Sequence, residues 1–166
     1  VCIVDWFEER KISNYSKRKL LLKITPNELN RFLKKNRSNI EIILHMGAIT
    51  ATTETDTKLI IENNIKLSLF LWNWCSKNNT RFIYASSAAT YGNGENGFDD
   101  DQSLKVLNKL QPLNLYGWSK HIIDKLFVEQ ALKNNNPPQW VGLKFFNVFG
   151  PNEYHKGSMR SIVVKI

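Results

Sequence analysis

The chain has 166 residues, 42% of them hydrophobic and 11% aromatic, which suffices for the core of one domain and excludes a wholly disordered chain. The formal net charge is +8, but the lysines are dispersed and Asp99–Asp101 interrupts the basic field, so charge alone does not indicate nucleic-acid binding. No apolar run reaches the roughly 18 residues of a membrane helix, and Val1–Asp5 lacks the basic start of a signal peptide. We therefore expect a protein that binds neither nucleic acid nor membranes.

The cysteines indicate the cellular compartment, and the chain ends indicate whether the sequence is part of a longer protein. Cys2 and Cys75 lie far apart among apolar residues, without metal-ligand spacing, and we expect both to be buried free thiols in a reducing compartment, the cytoplasm. The chain begins inside one apolar run and stops inside another, at Ile166, whereas domains usually end in polar segments. This pattern predicts a piece of a longer protein.

Short apolar runs predict the strands. Val1–Val4, which ends at Asp5, is typical of a buried parallel strand, and Leu20–Ile24 is a weaker candidate. The remaining strands are predicted at Ile40–His45, Arg81–Ala85 and Trp140–Phe146.

Helices are predicted between these strands. Thr25–Glu28 has the signature of a helix start, with threonine as N-cap, proline next and glutamate three residues after the cap. Long helices are predicted from about Asp56 to Lys77 and from Leu115 to Lys133, and a polar exposed loop from Gly92 to about Gln111. Strands that alternate with helices predict an α/β fold with a doubly wound parallel sheet.

Tyr116 and Lys120 lie four residues apart on the second long helix, so they share one face. A cation about 4 Å from a phenol, at an effective dielectric near 20, is worth on the order of 4 kcal/mol, or about three pK units. Such a pair could therefore turn a tyrosine with an ordinary pKa of about 10 into a usable base. Alone, the spacing is weak evidence, because most Tyr-x-x-x-Lys pairs are ordinary surface residues.

Small or polar residues follow several predicted strands, at the sheet edge where ligands bind. Ser86 and Ser87 follow one strand, His45–Ala48 and Asn147–Pro151 follow two others. Asp5 follows the first predicted strand. In dinucleotide-binding folds an acid in this position hydrogen-bonds the adenosine ribose, and a Gly-rich phosphate turn lies about twenty residues before it. The ordinary alternatives are turn serines, a tight turn, a strand-end aspartate and a structural role for His45. Together the strand ends predict one ligand site.

Three blocks, in this order and spacing, resemble the extended short-chain dehydrogenase/reductases, which include nucleotide-sugar epimerases, dehydratases and reductases. They are Tyr84–Gly92 (YASSAATYG), Pro112–Lys120 (PLNLYGWSK) and Phe146–Pro151 (FNVFGP). A finer resemblance, to the ADP-glycero-manno-heptose 6-epimerases, comes from His155–Met159 (HKGSM), Ala51–Glu54 (ATTE) and Glu62–Asn64 (ENN). It runs from about Asp5 to the C-terminus, and residues 6–38 match only loosely.

The resemblance implies an isomerase with tightly bound NADP and a Rossmann-like fold. Such an enzyme oxidises C6 of an ADP-D-glycero-D-manno-heptose to a ketone and reduces it from the opposite face, in lipopolysaccharide core synthesis. Tyr116 and Lys156 are then the two bases, Lys120 holds the nicotinamide ribose and lowers the Tyr116 pKa, and Ser87 binds the reacting oxygen. The implied cofactor contacts are Asp5, Trp6, Lys11, Met46, Gly47, Ala48, Ile49, Thr50, Asn63, Lys120 and Val148, and the implied substrate contacts are Ser87, Asn147, Lys156, Ser158 and Lys165.

The sequence departs from the pattern of these epimerases near the adenosine. Trp6 stands where they commonly have asparagine, and Phe7–Lys11 replaces a Gly-containing loop that meets the adenosine 2′-phosphate. NAD therefore stays possible in place of NADP, with Lys11 as the best remaining partner for the phosphate. Lys165 stands where a substrate-contacting histidine is expected. A lysine in a Gly/Ser loop, such as Lys156, is otherwise usually solvated.

On this interpretation, residues 1–166 are a partial dinucleotide-binding domain. The first βα unit with its Gly-rich turn is missing, and residues 151–166 lead towards a missing substrate domain. We expect the full-length protein to be a homo-oligomer that binds a small nucleotide-sugar.

Alternative functions stay open. One is another nucleotide-sugar epimerase or a 4,6-dehydratase of the same superfamily, although a dehydratase would normally show an Asp-Glu pair beside Ser87, which the sequence lacks. A different class is a catalytically silent nucleotide-binding fragment, which would hold dinucleotide poorly without its phosphate turn. Nucleic-acid binding is the least favoured.

Overall fold

The computed structural model describes residues 1–153, 156–157 and 160–165, without the side chains of Arg10, Val164 and Lys165. In chain order the elements are β1 (Cys2–Val4), α1 (Ile12–Tyr15), β2 (Leu22–Ile24), α2 (Leu29–Lys35), β3 (Ile42–His45), α3 (Thr57–Ile60), α4 (Leu67–Lys77), β4 (Arg81–Ser87), α5 (Leu104–Leu107), α6 (Leu115–Leu132), β5 (Trp140–Phe145) and α7 (Ile162–Lys165). They form two compact units, Val1–Asn39 with Asn147–Ile166, and Ile40–Phe146.

The unit that contains the N-terminus has a two-stranded parallel sheet. Strand β1 pairs with β2, with Val4 opposite Ile24. The predicted helix start is confirmed, because the backbone N–H and the hydroxyl of Thr25 both donate to the Glu28 carboxylate at 2.8 Å. The prediction of a buried first strand is wrong, because Cys2 and Ile3 are only partly buried and Val4 is 39% exposed. The structure pairs β1 with a single short strand, which leaves part of it uncovered.

The second unit has a three-stranded parallel sheet in the order β3-β4-β5. His45 lies opposite Tyr84, and Ser87 lies opposite Phe145. Strand β4 is longer than predicted, because Ser86 and Ser87 pair with β5 and form its last two residues instead of following it. The ends of the three strands nevertheless lie at one edge of this sheet, as a parallel arrangement requires.

The predicted helix at 56–77 is continuous but has a π-helical middle. A π-helical segment, Ile61–Lys66, joins α3 to α4. A run of side chains at helical spacing is buried along it: Ile60, Asn64, Leu71 and Cys75. Helix α6 confirms the second long prediction to within one residue. No helix in the described part of the chain is both long and apolar enough to cross a membrane.

Aromatic packing holds α4 and α6 against the sheet of this unit. The Trp72 ring stacks on Phe127 at 4.1 Å between centroids and meets Phe82 edge-on at 6.1 Å. All three side chains are fully buried, and burial of one phenylalanine stabilises a fold by about 2 kcal/mol. The core therefore fixes α6, the helix that carries Tyr116 and Lys120, relative to β4.

Two further predictions need correction. The stretch from Gly92 to Gln111 is not a wholly exposed loop, because it contains α5, and Leu107 and Leu110 are buried against Tyr91. The cysteines differ as well. Cys75 is fully buried as predicted, whereas Cys2 is only partly buried, and both are free thiols.

Candidate active site

Helix α6 begins at the predicted catalytic pair. The Asn114 side chain caps it by accepting the Gly117 N–H at 2.8 Å, and Tyr116 lies half-buried in the first turn. Gly117 allows a close approach that another residue would not, because a Cβ there would lie 2.8 Å from the Ala89 carbonyl oxygen. The glycine next to Tyr116 thus lets this helix pack directly on the backbone that follows Ser87.

Lys120 is buried and points at strand β4. Its ammonium donates to the Ala85 carbonyl at 2.7 Å, and the residue is 3% exposed. Burial lowers the pKa of Lys120 to about 8, against an opposing effect of Asp124, which raises it. The carbonyl that Lys120 contacts lies two residues before Ser87 on β4. A buried cation with a lowered pKa beside a strand end is typical of a functional site.

Ser87 has a defined hydroxyl orientation. Its oxygen accepts the Ala89 N–H at 3.1 Å, and its carbonyl accepts the Thr90 hydroxyl at 2.8 Å. Within the described part of the chain, no acceptor takes the Ser87 hydroxyl hydrogen, although the residue is only 8% exposed. The group can therefore donate that hydrogen to a bound oxygen.

Sequence reasoning missed the polar network behind this serine. Asp124, four residues after Lys120, is 5% exposed and accepts bonds from Tyr84, Ser86 and Lys144. Its spacing of eight from Tyr116 places it on the same helix face, which was the available signal.

The loop after β3 contains small residues and is exposed, so that a ligand could approach its backbone closely. Residues 46, 47 and 50 are exposed, and the backbone of Ile49 is held by the side chain of Asn64, which accepts its N–H at 2.8 Å and donates to its carbonyl at 3.0 Å. The predicted contact residue, Asn63, is partly buried and donates to the Leu59 carbonyl at 2.9 Å. Asn64 was missed, although its spacing of four from Ile60 marks the buried face.

His45 has structural partners, in agreement with the alternative of a structural role for this residue. Its Nε2 lies 2.9 Å from the Ser68 oxygen, and the Ser68 hydroxyl donates its hydrogen to the Asn64 carbonyl. The His45 Nε2 is therefore the donor in this pair. Burial, and secondarily the charge of Lys120, lowers the pKa of His45 to about 4, so that the ring is neutral near pH 7.

The other unit carries the residues predicted to meet the adenosine. Asp5 accepts the Trp6 N–H at 2.7 Å, and the Lys11 ammonium lies 3.7 Å from the Asp5 carboxylate and 3.3 Å from that of Glu8. Trp6 is 56% exposed. Phe7 has a φ of 54°, a left-handed conformation that favours glycine, at the place where the resemblance expects a Gly-containing loop.

The predicted second base lies in this same unit. The Lys156 ammonium lies 3.5 Å from the Glu153 carboxylate, and both residues line an open depression of about 330 Å³ together with Val148. Asn147 is exposed. Of the remaining predicted substrate contacts, Ser158 and the side chain of Lys165 lie outside the described residues.

Glu153 anchors the segment around Lys156. Its carboxylate accepts the Gly150 and Ser161 N–H groups at 2.9 Å each, and the Ser161 hydroxyl at 3.1 Å. These bonds, the Ser161 N–H foremost, lower the pKa of Glu153 to about 2. In the described residues, no group of His, Cys, Asp and Glu side chains is arranged to hold a metal ion.

A sequence model of the NAD dependent epimerase/dehydratase family matches residues 11–166. The chain belongs to this family. It is 51% identical to the ADP-L-glycero-D-manno-heptose-6-epimerase of Fusobacterium nucleatum over 98% of its own length and 49% of that relative. The chain spans about half or less of the length of the curated relatives it matches.

Solved structures agree with this membership. The chain is similar to the Helicobacter pylori ADP-L-glycero-D-manno-heptose-6-epimerase, with a TM-score of 0.77, 28% identity, and coverage of 99% of this chain and 52% of that one. It is also similar to a Bacillus cereus UDP-glucuronic acid 4-epimerase in complex with NAD, with a TM-score of 0.73, 25% identity, and coverage of 92% and 50%. These comparisons confirm the predicted Rossmann-like α/β fold class.

Proposed function

We propose that the protein that contains this chain converts ADP-D-glycero-D-manno-heptose to its L-glycero epimer at C6. The observation that carries the proposal is the Tyr116-x-x-x-Lys120 pair on α6, with Lys120 hydrogen-bonded to β4 two residues before Ser87. The relatives named ADP-L-glycero-D-manno-heptose-6-epimerase support the choice of substrate over other nucleotide-sugars.

The chain's own groups would hold the substrate and move protons. Ser87 would donate its hydroxyl hydrogen to the oxygen on C6, because that hydrogen is otherwise unengaged among the described groups. Tyr116 and Lys156 would act as the acid–base groups for the two faces of C6. One would take the hydroxyl proton when C6 is oxidised, and the other would give a proton to the ketone oxygen when C6 is reduced from the opposite face. Asn147, Ser158 and Lys165 would contact the rest of the substrate.

The family and the NAD complex of the Bacillus cereus neighbour support a nicotinamide cofactor for this chain. When bound, the nicotinamide supplies the redox chemistry, oxidising C6 to a ketone and reducing it again. Lys120 would hold its ribose, and the 46–50 loop, Asn63 and Val148 would contact the dinucleotide.

We further propose NADP rather than NAD. The observation in favour is the Lys11 ammonium, which lies 3.7 Å from the Asp5 carboxylate and so brings positive charge to the acid that would meet the ribose. A cation there offsets the repulsion between Asp5 and a 2′-phosphate. Lys11→Glu should therefore shift preference from NADP towards NAD, and an unchanged ratio of the two affinities would refute this step.

The cellular setting follows as part of the proposal. A nucleotide-sugar epimerase of this kind would act in the cytoplasm, as a homo-oligomer, in the synthesis of lipopolysaccharide core precursors.

The deciding experiment uses protein expressed from the complete open reading frame. It is incubated with ADP-D-glycero-D-manno-heptose, and the L-glycero product is followed by NMR. Formation of that product supports the proposal, and activity on UDP- or dTDP-hexoses alone would overturn the choice of substrate. Tyr116→Phe and Lys156→Met should each lower the rate roughly 100-fold or more, as expected when an acid–base group is removed.

A matched control is Lys66→Met. Lys66 also pairs with a nearby carboxylate, that of Glu62, and its side chain is 62% exposed, more than that of Lys156. We expect Lys66→Met to keep the activity of the parent protein. If it loses as much activity as Lys156→Met, the loss reflects the removal of any surface cation and Lys156 has no specific role.

A further inference from the structure

We propose that the ion pair between buried Asp124 and partly buried Lys144 positions Ser87 for the reaction. The inference rests on the function proposed above, because Ser87 is there the group that binds the reacting oxygen. Neither member of the pair belongs to the motifs recognised in the sequence, and neither needs to touch substrate to act in this way.

The first connection runs from Lys144 to the backbone of Ser87. The Lys144 ammonium donates to the Thr90 hydroxyl oxygen at 2.8 Å, and the Thr90 hydroxyl donates its hydrogen to the Ser87 carbonyl at 2.8 Å. Thr90 is fully buried, so water does not compete for these bonds. The directions are consistent, because a hydroxyl can accept from a cation while it donates to a carbonyl.

The second connection runs from Lys144 to the preceding residue of the strand. The ammonium lies 2.6 Å from Asp124 Oδ2, and the same oxygen accepts the Ser86 hydroxyl at 2.7 Å. The other carboxylate oxygen, Oδ1, accepts the Tyr84 hydroxyl at 2.9 Å. Asp124 thereby ties α6 to the last residues of β4.

Lys144 thus reaches both sides of Ser87. On one side it acts through Asp124 on the Ser86 side chain, and on the other through Thr90 on the Ser87 carbonyl. Asp124 lies one turn after Lys120, on the helix that begins next to Tyr116. The network consequently fixes the serine relative to the helix that carries the predicted base.

Stability alone is a poor explanation for such a pair. The loss of hydration of two buried charges offsets most of their mutual attraction, and well-packed apolar residues often serve stability as well or better. Asp124 is 5% exposed, and the Lys144 side chain is 20% exposed. A directional network that ends on a reactive serine is better explained by the geometry that it maintains.

The sharpest test is Thr90→Val, which keeps the shape of the side chain and leaves the Asp124–Lys144 pair intact. Its matched control is Thr80→Val, a threonine 1% exposed just before β4, whose hydroxyl bonds the Ile40 and Asn78 carbonyls at 3.4 Å. In the complete protein we expect Thr90→Val to lower kcat roughly 10- to 100-fold, as a small misplacement of a reacting group does, with KM within about twofold. Thr80→Val should leave both constants unchanged.

Substitutions of the cation provide the second arm. Lys144→Arg can still donate to both acceptors and should recover much of the rate that Lys144→Met loses. Lys144→Met leaves the Asp124 charge without its cation and could fail to fold, and in that event Thr90→Val decides. Equal kcat values for Thr90→Val and Thr80→Val would overturn the proposal.

A readout independent of the epimerase reaction separates this proposal from the proposed function. The Ala89 N–H donates to the Ser87 oxygen, so its hydrogen exchange reports whether that segment stays in place. Thr90→Val should accelerate exchange at Ala89 at least tenfold relative to Thr80→Val. If the parent protein is inactive on the heptose, the proposed function fails, yet selective acceleration at Ala89 still supports positioning. Equal exchange rates in the two variants would refute it.

Discussion

Asn64 is the residue whose removal should disturb both the fold and the loop after β3. It is 1% exposed and lies in the π-helical segment Ile61–Lys66. Its side chain accepts the Ile49 N–H, donates to the Ile49 carbonyl, and donates to the Ser119 hydroxyl oxygen at 2.9 Å. Ser119 in turn donates to the Tyr116 carbonyl at 2.7 Å, so one asparagine connects the loop after β3 with the first turn of α6.

The cost of Asn64→Ala can be worked from these contacts. Each hydrogen bond contributes about 1 kcal/mol net, so the loss of all three bonds amounts to about 3 kcal/mol. The Ile49 backbone groups can partly regain water, because the loop around them is exposed, which sets about 2 kcal/mol as the lower end. The neighbouring variant, Asn63→Ala, loses one bond at the surface, and we expect a change within about 0.5 kcal/mol.

The two variants change adjacent asparagines, and we expect them to differ in the free energy of unfolding and in the affinity for NADP. Urea unfolding measures the free energy of unfolding of each, and calorimetry measures its affinity for NADP. Asn64→Ala should lose stability, whereas Asn63→Ala should keep stability and lose affinity if Asn63 meets the cofactor. A loss below about 1 kcal/mol for Asn64→Ala would show that its bonds are replaced by water, and would refute the argument.

Three further predictions concern other residues of the second unit and the thiol of Cys2. Gly117→Ala should destabilise by about 1 to 3 kcal/mol and lower the epimerase rate, because its Cβ would lie 2.8 Å from the Ala89 oxygen; thermal unfolding and kcat check both effects. The pKa of His45 is lowered from 6.5 to about 4, so the unfolded chain takes up a proton at higher pH than the folded one. Stability is therefore lost as the pH falls, by about 2 kcal/mol between pH 7 and 5, and His45→Asn should flatten that part of the profile in urea unfolding. Burial raises the pKa of Cys75 to about 12, and we expect iodoacetamide to label it only after unfolding, while the partly buried Cys2 reacts in the folded protein, as peptide mass mapping would show.

Features with a local cause could be predicted from the sequence. The helix start at Thr25–Glu28 depends on residues three apart, and the structure shows both of its bonds. Tyr116 and Lys120 share a face of α6 because the helical period requires it, and the helix ends within one residue of the prediction. The apolar run at Arg81–Ala85 likewise indicated β4. Its last two residues, Ser86 and Ser87, were not predicted as strand because they are polar, yet they pair with β5.

What could not be predicted is which groups the polar residues of those elements contact. A carboxylate four residues after a lysine is ordinarily interpreted as its ion-pair partner on a helix surface. Asp124 instead bonds side chains of two strands, and Lys120 bonds a backbone carbonyl of one of them. Both sets of contacts follow from burial, because a buried polar group without a hydrogen-bond partner is costly. On the face of α6 that packs against the sheet, the side-chain donors of β4 and β5 lie 2.6–2.9 Å from the Asp124 carboxylate oxygens. Helical spacing therefore identified the face of α6 that carries the predicted catalytic pair. The positions of strands 20 to 40 residues distant in sequence decided what each charge on that face binds.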